Sequence, residues 1–176
     1  GVSQEVGGVA VPYGIELALD GLSAPILVLI AVVSLGTLGY TRKAGPRSNS
    51  FYSGYLLLTA GLIGVTVTAD VFNLYVFIEI TGLAAYALIS SGGDGRSAYA
   101  ALKYLLVGTV GASLYLIGVG YAFVATGTLN MADLSGRLAA AGYGDGIVLA
   151  SFAFIVAGLG VKVALFPLHT WQPDAY

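Results

Sequence analysis

Cysteine is absent from the sequence and histidine occurs once, at His169. Disulfides, thiolate-held iron–sulfur clusters and bis-histidine haem ligation are therefore excluded, and no His/Cys cluster is present for zinc. No P-loop occurs. The chain by itself is expected to bind no cofactor or metal and to carry out no redox or ATP chemistry. Charge is scarce as well. Only 9% of the 176 residues are charged, where a soluble domain carries about a quarter. The formal net charge of −2 provides no basic stripe for nucleic acid.

What is abundant is apolar surface. Hydrophobic residues make up 57% of the chain, and the mean hydropathy is +0.89. The 26 glycines suit close backbone contact between membrane helices. These features predict an all-α, polytopic membrane protein in contact with the lipid bilayer. The sequence has no initiator Met and no basic region before a short apolar core, and it ends just after Gln172-Pro173-Asp174. It is read as a fragment of a longer chain.

A bilayer core takes about 20 apolar helical residues. Five stretches qualify: about 22–40, 52–69, 71–90, 98–125 and 147–168. Residues 1–20 form a segment leading into the bundle of 21–176. A tight polar turn around Asp70 and Asn73 joins the second and third stretches, and the 131–138 region is expected to form a short amphipathic helix at the interface. The loop after the first stretch holds Arg42, Lys43 and Arg47 without an acid, which places loop 41–50 on the cytoplasmic side of an inner (plasma) membrane. Residues 1–20, with Glu5, Glu16 and Asp20, then fall outside.

An Asp, Lys or Arg near the centre of a span is disfavoured by about 2.5–3.5 kcal/mol on insertion scales, and an ionised Glu should incur a similar penalty. Glu79, Lys103 and Lys162 lie inside predicted spans. Glu79 shares a helical face with Phe72, Tyr75, Val76, Gly82, Leu83 and Tyr86. A carboxylate left unpaired in hydrocarbon takes up a proton, whereas a nearby ammonium keeps it ionised. Glu79 is an ion-path acid, a structural ion-pair partner or a protonated packing carboxyl. Lys162 lies five residues before Pro167, which lacks an N–H and clashes with the carbonyl of Val163. A broken helix beside a titratable Lys matches the way transporters build midplane ion sites. The competing reading has Lys162 snorkelling to the interface, with Pro167 simply ending the span. The same alternative stands for Lys103. His169 is either a hydrogen-bonded structural residue or a proton shuttle. Asp70 and Asp174 are read as interfacial and structural.

The run from Asp70 to Ile80, which contains Phe72-Asn73-Leu74 and Glu79, together with Tyr86-Ala87-Leu88-Ile89, resembles the glutamate-bearing helix of the proton-conducting antiporter family. Ala101-Leu102-Lys103-Tyr104, the Thr126–Leu134 run and Lys162-Val163-Ala164-Leu165-Phe166-Pro167-Leu168-His169-Thr170-Trp171 resemble it too. Ile15-Glu16-Leu17 with Asp20-Gly21-Leu22-Ser23 is similar to the approach to the family's third helix. That family includes Mrp-type multisubunit Na⁺/H⁺ antiporter subunits, antiporter-like subunits of respiratory complex I and relatives in membrane-bound hydrogenases.

The resemblance covers nearly the whole chain. It implies helices three to seven of a subunit with about fourteen, the last broken near Pro167. It further implies Glu79 as the channel glutamate, Lys162 as the lysine on the broken helix and Lys103 as a sixth-helix lysine. The implied partners are other subunits of the assembly, H⁺ and Na⁺. Gln172 departs from the pattern, which usually has Leu there. Phe72-Asn73-Leu74 and the Thr126–Leu134 run look most like the D-type Mrp protein.

Overall fold

The computed structural model describes all residues, Gly1–Tyr176. Two short strands, β1 (Val2–Glu5) and β2 (Glu16–Leu19), pair antiparallel with Val2 opposite Leu19. They precede α1 (Ser23–Ala44), α2 (Asn49–Val67), α3 (Val71–Ser90) and α4 (Gly95–Thr126). After these come α5 (Met131–Ala141), α6 (Gly146–Lys162) and the single turn α7 (Gln172–Ala175).

Local chemistry sets where most of these helices start. Side-chain oxygens of Ser48, Asp70, Asp94, Asn130 and Asp145 accept backbone N–H bonds at the starts of α2, α3, α4, α5 and α6. Each satisfies donors that have no partner within the helix. Asp20 does the same ahead of α1, accepting from the N–H groups of Leu22 and Ser23. The Ser23 N–H, followed by its hydroxyl, holds the Asp20 carboxyl below the usual carboxylate range.

The bundle is helical and polytopic, as the sequence predicts, but two expectations are corrected. The segment before α1 is a β-hairpin. Its second strand extends the pairing into the loops: Ala69 N–H donates to Glu16 O, Met131 N–H to Ala69 O, and Val71 N–H to Leu129 O. Asn130, 1% exposed, donates from its side chain to Glu16 at 2.8 Å.

The second correction concerns the five spans. Four helices, α1 to α4, are long and apolar enough to cross a membrane. The fifth apolar stretch is a 17-residue helix that stops at Lys162 instead of running to 168. At 1.5 Å per residue it is about 25 Å long, just short of a hydrocarbon core. Pro167 has no N–H to offer Val163, and the helix gives way at Val163, its C-cap. Ala164 follows in a left-handed conformation, φ 53°. Its N–H bonds to Val161 O, and that of Leu165 bonds to Gly160 O. This is a Schellman termination with alanine where glycine is favoured. Ala164→Gly is expected to change stability by less than about 1 kcal/mol, while the β-branched Ala164→Val should lose about 1–2 kcal/mol. Thermal unfolding in detergent checks both.

Helices pack where side chains are smallest. Gly111 and Gly118 on α4 face Gly158 and Ser151 on α6, and the Ser151 hydroxyl donates to Gly118 O at 2.8 Å. Gly61 and Gly64 on α2 admit Thr81 and Phe77 of α3. By contrast α1 buries only Ser23 and Thr41 and reaches α2 through Tyr55 and Thr59. Its apolar residues, such as Val28 and Leu35, are exposed.

Candidate functional site

Glu79 lies eight residues into α3, about 12 Å from its start. The α3–α4–α6 packing brings it to Lys162, the last helical residue of α6. Lys162 Nζ donates to Glu79 Oε1 at 2.7 Å, and the two side chains are 11% (Lys) and 25% (Glu) exposed. The two residues flagged by their unfavourable placement in a span, 83 positions apart in sequence, thus form one ion pair inside the bundle. Neither extends to bulk water as a free snorkelling charge. The ammonium also sits at the C-terminal end of a helix, where unpaired carbonyls favour a cation.

Beyond the break, the chain is fastened back onto α4. Trp171, 3% exposed, donates its indole N–H to Val161 O at 3.0 Å. Its ring stacks on Tyr104 at 3.9 Å, and Tyr104 meets Tyr86 edge-on at 4.6 Å. Lys103 does not join the Glu79–Lys162 pair. It bonds Asp174 of α7 at 2.6 Å, with side chains 29% and 41% exposed. Two ion pairs therefore flank an aromatic cluster built from α3, α4 and the segment after the break.

Asp174, read from sequence as interfacial and structural, is the counter-charge of Lys103. The signal available was weak: Asp174 is the one acid beyond Pro167, and 71 residues separate it from Lys103. Asp174→Asn is expected to loosen the fastened segment. Amide hydrogen exchange over residues 163–176 should rise in that variant while exchange in α3 and the core of α4 stays unchanged. His169 joins neither pair. Its ring lies 5.5 Å from Phe166, and its buried Nδ1 has no partner in the chain. Asp70 caps α3, as expected, through the Asn73 N–H at 2.7 Å.

Chemically, the site offers a carboxylate and an ammonium on different helices, partly shielded from solvent and adjoining an interrupted helix. In a low-dielectric setting each of the two charges stabilises the other.

Residues 68–176 match the family described as NADH:quinone oxidoreductase/Mrp antiporter, transmembrane. Among curated relatives, the chain is 51% identical to the N-type subunit of NADH-quinone oxidoreductase from Desulforudis audaxviator, over 97% of this chain and 35% of that protein. It is 37% identical to the D-type subunit of the Na⁺/H⁺ antiporter from Bacillus subtilis, over 97% of this chain and 35% of the other. Among solved structures, a chain of the archaeal membrane-bound sulfane sulfur reductase superposes with a TM-score of 0.91 at 39% identity, covering 98% of this chain and 35% of that one. The chain thus spans about a third of the length of the proteins it matches.

Proposed function

The chain belongs to the NADH:quinone oxidoreductase/Mrp antiporter transmembrane family, and from that premise we propose that it is part of an ion-translocating subunit of a multisubunit cation/proton antiporter. It moves H⁺, alone or in exchange for Na⁺, through a relay of charges centred on the part-buried Glu79–Lys162 pair. The observation that carries this reading is the 2.7 Å Glu79–Lys162 pair at the end of an interrupted helix. A scaffold has no need for such a pair inside a membrane.

In the relay, Lys162 holds its proton while Glu79⁻ is beside it. A neighbouring charge that draws Glu79 away removes that support, and the ammonium, now desolvated, releases its proton. A change of one pKa unit corresponds to about 1.36 kcal/mol, so small displacements shift occupancy. Lys103, paired with Asp174, is the next carrier, with His169 beside the break as a shuttle. With loop 41–50 in the cytoplasm of a plasma-membrane assembly, Lys103–Asp174 lies on the cytoplasmic side of Glu79–Lys162. The chain performs no redox chemistry itself, and other subunits of the assembly are its partners.

A second reading is a proton-pumping subunit of a respiratory complex I or hydrogenase-like assembly, favoured by the 51% identity to a protein named as part of an NADH-quinone oxidoreductase. Both readings share the relay. The test is ion-coupled transport in membrane vesicles bearing the full-length subunit in its complete assembly. Glu79→Gln should lower the rate by about a hundredfold or more, the low end of what a positioned proton-transfer group contributes. Wild-type transport with normal assembly would favour a scaffold.

A further inference from the structure

Tyr86 carries a buried hydroxyl that neither ion pair uses. The residue is 8% exposed, and its Oη has no hydrogen-bond partner within the chain. That hydroxyl occupies a slot left by two glycines. A Cβ on Gly108 of α4 would collide with Oη, and one on Gly82 would come within 3.0 Å of it. Helical side chains lean back toward the helix N-terminus, so Tyr86 reaches over Gly82, one turn earlier. Gly82 is three residues past Glu79, about 4.5 Å further along the axis and on the same face. The Tyr86 hydroxyl therefore lies on the Glu79 side of the aromatic cluster, with the Tyr104 and Trp171 rings beyond it toward Lys103 and Asp174. Trp171 cannot supply a polar step there, because its N–H is already committed to Val161 O. The Tyr86 hydroxyl thus has free hydrogen-bonding capacity inside this cluster, and a phenolic hydroxyl donates and accepts at once.

We propose that Tyr86 is a relay residue, its hydroxyl linked to the Glu79 carboxylate through a water held between the two. A proton passes by exchange: the hydroxyl accepts one from the water on its Glu79 side and releases its own through water to the Asp174 carboxylate beside Lys103, ending neutral as it began. Glycine at 82 and 108 leaves room for the hydroxyl itself, and a water between a phenolic hydroxyl and a carboxylate has the two polar partners that hold one in place. The proposal rests on the ion-translocating reading above.

Three variants of the full-length subunit in its complete assembly test it, with transport rates normalised to assembled complex. Tyr86→Phe keeps the ring and should lower the rate about tenfold, the loss of one well-placed hydrogen-bonding step. Gly108→Ala puts a methyl where Oη sits and should reduce assembly as well as transport. Combining the two removes the collision, since the next Tyr86 atom lies at 3.4 Å from that Cβ. Assembly should then recover while the rate stays at the Tyr86→Phe level. Wild-type transport in Tyr86→Phe, or full recovery in the double variant, would reduce Tyr86 to a packing residue. If Glu79→Gln also transports normally, it is the relay reading that fails, and not this step alone.

Discussion

Lys162→Met is expected to lower ion-coupled transport about a hundredfold or more and to destabilise the bundle, the largest combined effect of any single change in this chain. The side chain is 11% exposed and its Nζ lies 2.7 Å from Glu79. Methionine preserves the length and apolar stem but leaves a carboxylate without its counter-charge. Removing one member of a buried pair disfavours the fold by about 3–5 kcal/mol in soluble proteins. Here that figure is an upper bound, because a carboxyl can neutralise itself by binding a proton. The distinguishing result is the double variant Glu79→Gln/Lys162→Met. With both charges gone it should regain most of the thermal stability and none of the transport. A structural pair without a transport role would regain both.

Gly158→Leu is expected to break the α4–α6 interface. A Cβ at this position would already stand 2.6 Å from Gly111 O and 2.5 Å from the Tyr115 amide nitrogen, both backbone atoms that cannot rotate aside. The helices must separate, and separation also undoes the Ser151–Gly118 hydrogen bond and the seat of Val161 against Gly111. Overpacking of this kind costs about 1–3 kcal/mol for small additions, and leucine adds three carbons beyond the Cβ. Loss of assembled complex in detergent, measured by size-exclusion chromatography, is the expected outcome. Gly160→Ala serves as the control, since a Cβ there meets nothing closer than 3.6 Å. Gly108, Gly111 and Gly158 thus sit at close contacts and Gly160 does not.

Those contrasts mark what one-dimensional reading captures. Glu79 and Lys162 are legible because an ionisable group inside an apolar run is disfavoured wherever the helix is placed. Their mutual contact is not, since helix–helix register depends on which glycines meet across α3, α4 and α6. The cap at Asp70 follows from residue type and position. The end of α6 does not: Pro167 announces a break, but the left-handed Ala164 that sets it at Lys162 carries no sequence mark. The β-hairpin is hidden for a related reason, as strands of four residues hold too few side chains to show a period. Lys103 stands out as a charge within a span, yet nothing in its neighbourhood names its partner. Asp174, that partner, sits past a break whose direction sequence cannot supply.

Coupling between Glu79 and Lys162 is the claim on which the account stands, and a double-mutant cycle on transport rate measures it. Glu79→Asp and Lys162→Arg each keep the charge while changing its reach, so every member of the cycle retains a measurable rate. If the two groups act as a unit, the loss in the combined variant should differ from the product of the single losses by about tenfold, equivalent to about 1.4 kcal/mol of coupling. Losses that simply multiply would mean that the carboxylate and the ammonium work independently, and would contradict the relay.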